Sequence, residues 1–136
     1  MSEDIVLDAS ALLALMDDEP GQRAVAATLP GALISAVNLA EVVSKLAERG
    51  MPAERAHARA LAVGIRVIAF DSDQARSVGA LRPQTKAAGL SLGDRCCLAL
   101  AKRLDALVLT TDRRWTDVGP AVGVRVRAIR PTTPRH

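Results

Sequence analysis

The sequence predicts one α/β domain built on a largely parallel sheet with helices on both faces. Three observations lead there. Short aliphatic runs of strand type alternate with helical periods from one end of the chain to the other. The 136 residues suit a single domain, and no repeat, linker or low-complexity tract divides them. Hydrophobic residues make up 49% of the chain, yet Phe70 and Trp115 are the only aromatics, so the core must be built from Ala, Val, Leu and Ile.

Ile5–Leu7 reads as a buried first strand, followed by a helix over residues 10–16 that ends in the acidic turn Asp17-Asp18-Glu19-Pro20-Gly21. A short helix over 22–29 is closed by Pro30-Gly31, and residues 32–34 form the second strand. Residues 38–48 show the spacing of an amphipathic helix, stopped by Gly50. Residues 52–63 form the next helix, with Pro52 suited to its first turn. A third strand covers 66–69, and a helix over 73–81 is interrupted at Pro83. Leu92–Leu104 is a long helix rich in Ala and Leu, and residues 106–109 are the fourth strand. Trp115 is expected in a short turn before a last strand over 124–129. The domain spans 1–136, with 131–136 as a loose tail.

Composition excludes several classes. No run is long and apolar enough to span a bilayer. The acidic opening leads straight into a strand and lacks the basic, apolar and small-residue regions of a secretory signal. Cys96 and Cys97 are sequence neighbours, match no zinc or CxxC spacing, and read as buried helix residues of a reducing compartment. A cytoplasmic location is expected. Charge is uneven: residues 1–68 carry 6 basic and 9 acidic side chains, residues 69–136 carry 12 and 6. A basic second half points to a polyanionic partner. With so few aromatics, phosphate contacts are a better mode of binding than base stacking.

Four acids stand at strand or helix ends. Asp8 follows the first strand and Asp112 the fourth, while Glu41 and Asp94 fall in the expected first turns of two helices. In an open parallel sheet, strand carboxyl ends and helix amino ends share one edge, and ligands bind there. Each acid also has a structural reading. Asp8 can cap the following helix, Asp112 can begin a turn, and Asn38/Glu41 and Ser91/Asp94 both have capping-box spacing. The joint placement on one edge favours a site. Clustered carboxylates repel unless a cation joins them, and an all-oxygen set suits Mg²⁺ or Mn²⁺ rather than zinc. Such an ion activates water and orients a phosphodiester.

Other chemistries fit poorly. The chain has no GxxxxGK and no GxGxxG, and its only histidines are His57, on an expected helix surface, and His136, in the tail. The acidic run Asp17 to Glu19 reads as a solvated turn. A haloacid-dehalogenase-type phosphatase also begins with an Asp after a first strand. It needs a second Asp two residues on, where this chain has Ser10. A nucleic-acid-binding module that does not cut remains the non-enzymatic alternative; loss of one or more acids would mark it, and all four are present.

These residues resemble the motifs of PIN-domain nucleases, and more closely those of the VapC ribonuclease toxins of bacterial toxin–antitoxin pairs. The four stretches run over residues 6–14 (with Asp8 and Ser10), 35–42 (with Asn38 and Glu41), 89–101 (with Ser91 and Asp94) and 109–115 (with Thr110 and Asp112). They occur in order at family-like spacings over nearly the whole chain. The resemblance implies a PIN-like three-layer sandwich and a metal-dependent endoribonuclease in which metal-activated water attacks RNA. Asp8, Glu41, Asp94 and Asp112 are the expected acidic site. Asp8 and Asp94 chiefly hold the metal; Glu41 and Asp112 join directly or through water. Ser10 and Thr110 are hydrogen-bonding support, and Asn38 either orients Glu41 or caps its helix. Asp117 is a further acid that reads as a surface residue. Arg113, Arg114, Arg125, Arg127 and Arg130 are candidate RNA phosphate contacts, each equally readable as solvated surface. The resemblance also implies a cognate antitoxin, a homodimer and a hetero-oligomer of the two proteins. The apolar content of the helices at 38–48 and 52–63 offers a groove for a partner helix, or ordinary core packing.

Overall fold

The computed structural model describes residues 3–129. The strands are β1 (Ile5–Leu7), β2 (Leu33–Ser35), β3 (Arg66–Ile68), β4 (Leu107–Thr110) and β5 (Arg125–Ala128). The helices are α1 (Ala9–Met16), α2 (Gln22–Ala26), α3 (Ala36–Glu48), α4 (Ala53–Ala62), α5 (Ser72–Ala80), α6 (Arg82–Thr85), α7 (Leu92–Leu104) and α8 (Trp115–Ala121). All five strands pair in parallel, in the order β3-β2-β1-β4-β5. The expected fold class is observed.

Successive strand residues point to opposite faces, and both faces are covered. Val6, Leu33 and Val108 pack with the apolar sides of α5, α7 and α8. Their neighbours Leu7, Ile34 and Leu109 pack against α1, α3 and α4 on the other side. The result is three layers with two aliphatic cores. At the sheet's edges, Arg66, Arg125 and Arg127 are exposed. Charge there discourages edge-to-edge pairing. Among the described residues, no helix is long and apolar enough to cross a membrane. Cys96 and Cys97 are both buried and free.

Local chemistry moves several boundaries. α3 starts two residues before the expected 38 because Ser35, the last residue of β2, caps it; its Oγ accepts from Val37 N–H at 3.2 Å. Glu41 therefore stands in the second turn, and Asn38 is not the cap. α6 was not expected: Pro83 sits at the start of a new short helix, where its missing N–H costs nothing. Trp115 opens a helix rather than lying in a turn, and Pro120 is tolerated near that helix's end. The apolar faces of α3 and α4 (Leu39, Val42, Leu46, Ala56 and Ala60) are used in the core, so of the two readings of these helices ordinary core packing is the one observed. A groove of mixed polarity lies among α1, α2 and α4, where Leu15, Met16, Ala26, Leu29, Ala62 and Val63 share the lining with Asp18, Gln22 and Arg59. The tail at 131–136 and Arg130 lie outside the described residues.

Candidate active site

The strand order places a switch point between β1 and β4, where successive connections leave in opposite directions. A crevice forms at the carboxyl end of a sheet at such a point. Asp8 and Asp112 flank it. Asp8, only 5% exposed, is the N-cap of α1. Its Oδ1 accepts from Ser10 Oγ at 2.7 Å and from Ala11 N–H at 2.9 Å, and its Oδ2 accepts from Thr110 Oγ1 at 2.6 Å. Each hydroxyl works twice. Thr110 Oγ1 accepts from Asp112 N–H at 3.0 Å, and Ser10 Oγ accepts from Thr111 N–H at 3.0 Å. The two loops are thus tied through one buried carboxylate.

The other wall comes from α3 and α7. Asn38 Nδ2 donates to Glu41 Oε1 at 2.8 Å and to Gly93 C=O at 2.9 Å, so Asn38 orients Glu41 and joins the two helices. A Cβ on Gly93 would lie 2.1 Å from Glu41 Oε2; only glycine lets the glutamate pack here. Asp94 fills the capping box of α7: its N–H donates to Ser91 Oγ at 3.1 Å, and its Oδ2 accepts from Ser91 N–H at 2.9 Å. The structural role foreseen for Asp94 is real, and the same residue lines the cleft.

Asp8, Glu41, Asp94 and Asp112 line one cleft of about 300 Å³, together with Ser10, Asn38, Lys45, Leu13 and Trp115. Their charges act on one another. Burial pushes the Asp8 carboxyl up to about 6 against the lowering effect of its three hydrogen bonds, and the Asp94 charge adds to the rise. Burial also raises Glu41, countered by Asn38 and reinforced by Asp94. Behind the cleft, burial raises the Cys97 thiol, and the Asp8, Asp94 and Glu41 charges raise it further. Asp112 behaves oppositely: the Arg114 guanidinium holds its carboxyl below the usual range.

Whether a divalent ion fits follows from the donor atoms. Among the described residues, no three His, Cys, Asp or Glu side chains stand close enough to cage an ion. Asp8, Glu41 and Asp94 nevertheless keep acceptor capacity toward a common space. The buried Asn38 Oδ1 lacks a donor among the described residues. Mg²⁺ commonly takes one or two carboxylates and keeps several waters, whose hydrogens can satisfy such acceptors. The residues fit a water-rich Mg²⁺ or Mn²⁺ site and not a closed protein cage.

The basic residues separate. Arg113 and Arg114 lie on the Asp112 loop, but the Arg114 guanidinium is held by Asp112 and by Ala88 C=O at 3.2 Å. Arg125 starts β5 opposite Leu107, about 10 Å below the carboxyl edge. There it pairs with Glu3 and donates to Asp105 C=O at 2.9 Å, so as an RNA contact at the acidic edge it is misplaced. Arg127 is exposed along the edge strand, and Asp117 is exposed on α8, away from the cleft. Sequence reading missed Lys45, and gave no site role to Leu13, Gly93 and Trp115 although they stand within the motifs. Lys45 was detectable, being one helical turn beyond Glu41 on the same face. Nothing local marked Gly93, whose neighbour across space is Glu41.

A family model described as PIN domain matches residues 5–120. A comparison with curated proteins finds no significant match. Many solved structures share the fold. FitAcB from Neisseria gonorrhoeae is 26% identical, with 90% of this chain and 95% of that chain covered and a TM-score of 0.67. VapC20 of Mycobacterium tuberculosis, described as a sarcin–ricin loop cleaving toxin, is 19% identical, with coverages of 94% and 100% and a TM-score of 0.71. DNA-bound VapBC from Salmonella typhimurium is 19% identical, with coverages of 93% and 98% and a TM-score of 0.70. The match over residues 5–120 shows that this chain belongs to the PIN-domain family, the nuclease family that its four acidic motifs resemble.

Proposed function

We propose that this chain is a metal-dependent endoribonuclease and the toxin of a toxin–antitoxin pair in the cytoplasm. The observation that carries the reading is the convergence of Asp8, Glu41, Asp94 and Asp112 on one cleft at the sheet's switch point. Asp8 and Asp94 would chiefly hold Mg²⁺ or Mn²⁺, with Glu41 and Asp112 joining directly or through water. Bound there, the ion supplies a lowered water pKa and offsets charge on the phosphodiester. The chain's own groups set the stage. Ser10 and Thr110 fix the Asp8 carboxylate, Asn38 fixes Glu41, and the Ser91 cap fixes Asp94. Trp115 and Leu13 wall the cleft. Lys45, on the cleft lining and without an ion pair among the described residues, and the exposed Arg113 are placed to meet phosphates.

The antitoxin in this reading is supported by the structural neighbours, which include a toxin–antitoxin complex from Klebsiella pneumoniae at 24% identity. The α1–α2–α4 groove, which offers Leu15, Met16 and Leu29 beside Asp18 and Arg59, is a place where an amphipathic partner helix could dock. In our reading the chain also forms a homodimer within such a complex.

Incubation of purified protein with structured and unstructured RNA, with Mg²⁺ or with EDTA, tests the enzymatic reading. Cleavage is expected with the metal and not with EDTA, and not from Asp94→Asn. Full cleavage in excess EDTA overturns metal dependence; no cleavage of any RNA by a folded, metal-loaded protein favours a module that binds without cutting.

A further inference from the structure

Among the four acids of the cleft, Asp112 is the one paired with a guanidinium among the described residues. Asp112 accepts Arg114 Nε at 3.0 Å on both carboxylate oxygens, Arg114 Nη2 at 2.5 Å on Oδ2 and the Arg114 backbone N–H at 2.9 Å on Oδ1. A carboxylate has about four lone-pair sites. Three N–H groups of its own neighbour take most of those of Asp112, with Nε–H shared between the two oxygens, so a metal must compete with the arginine for them. Glu41 Oε2 and Asp94 Oδ1, by contrast, have no hydrogen-bond donor among the described residues.

We propose that Arg114 is an exchangeable counter-cation: it occupies Asp112 in the metal-free chain, and moves to an RNA phosphate when Asp112 turns to the metal. This rests on the metal-dependent reading above. Two features make the exchange inexpensive. The pair is open to water, with the Arg114 side chain 57% and the Asp112 side chain 30% exposed, and exposed ion pairs are weak. The guanidinium fork that fits a carboxylate also fits a phosphate, so the arginine gains an equivalent partner when it leaves. Its third contact, Nη1 to Ala88 C=O, leans the side chain across to the loop before α7, beside the mouth of the cleft. The consequence is coupling. Metal and Arg114 compete for Asp112, and a nucleic-acid phosphate that draws Arg114 away strengthens metal binding.

Calorimetric titration of the full chain with Mn²⁺ tests this. Arg114→Gln is expected to bind Mn²⁺ roughly one-and-a-half- to fivefold tighter than the wild type, the range for loss of an exposed ion pair. Arg114→Lys, which keeps the charge and loses the fork, is expected between them. A phosphorothioate-linked RNA oligonucleotide should tighten Mn²⁺ binding to the wild type and leave Arg114→Gln unchanged. Melting curves check that each variant is folded, and Arg114→Lys carries the test if Arg114→Gln is not. Equal or weaker Mn²⁺ binding by the folded variants overturns the exchange and means that Arg114 only straps two loops. Absence of Mn²⁺ binding by wild type and variants alike overturns the metal reading, and this inference with it.

Discussion

At the scale of single residues, buried charge makes testable statements. The Asp8 carboxyl titrates near 6 in the fold, against 3.8 as the ordinary value. A raised carboxyl binds its proton more tightly folded than unfolded. Stability of the metal-free protein therefore declines as pH rises from about 4 to about 6, by at most about 3 kcal/mol, and levels off above. Melting in EDTA across that range should show the decline in wild type and a much smaller one in Asp8→Asn, where the raised Glu41 carboxyl remains. The depressed Asp112 acts with the opposite sign and only in more acidic solution, where its protonation costs stability. Gly93 is a second case. Gly93→Ala places a methyl group on the Glu41 carboxylate and must move one of them. The expected result is a folded protein with RNA cleavage reduced at least tenfold, read by paired melting and cleavage assays; unchanged cleavage would remove Glu41 from the reaction.

At the scale of elements, the site is a set of caps and strand ends turned to a second use. Asp8 caps α1, Ser35 caps α3, and Ser91 with Asp94 caps α7. Helix amino ends carry partial positive charge, which helps hold acids there before any metal arrives. Asp94→Asn keeps an oxygen for the Ser91 N–H, so it should fold with near-normal stability and lose cleavage. Asp94→Ala should lose about 1 kcal/mol as well. The link between β1 and β4 runs through Thr110, which donates to Asp8 and accepts from the Asp112 N–H. Thr110→Val keeps the shape and removes both bonds. It should cost about 1–3 kcal/mol at neutral pH, measured by denaturant unfolding, because it leaves a buried carboxylate under-satisfied.

At the scale of the whole molecule, charge is sorted along the chain more clearly than in space. Residues 69–136 hold 12 of the basic side chains, yet Arg125 pairs with Glu3 at the sheet end remote from the acids. Only part of the basic half faces the cleft. RNA binding by the inactive Asp94→Asn form should weaken steeply with salt. Adding Arg113→Ala should flatten the slope by about one contact, and adding Arg125→Ala should leave it unchanged. If Arg125 flattens the slope instead, the RNA path crosses the edge strand β5.

The sequence by itself determined the α/β class, the five strands and the longer helices in order, and the four candidate acids, but not α6 or α8. Each of these follows from local information: period, turn residues, and an acid next to a strand or helix end. Boundaries moved where a cap overruled the hydrophobic period, as Ser35 did for α3. Tertiary structure alone decided which role each polar residue plays. Asn38 became the clamp of Glu41 rather than a cap because Gly93 of α7 stands across from it. The α3–α4 apolar faces went to the core because the sheet lies beneath them. Arg114 met Asp112 and Arg125 met Glu3, two arginines alike in sequence and opposite in placement. The physical reason is that hydrogen bonds and charges act over a few ångströms in space, whereas sequence reports only distance along the chain.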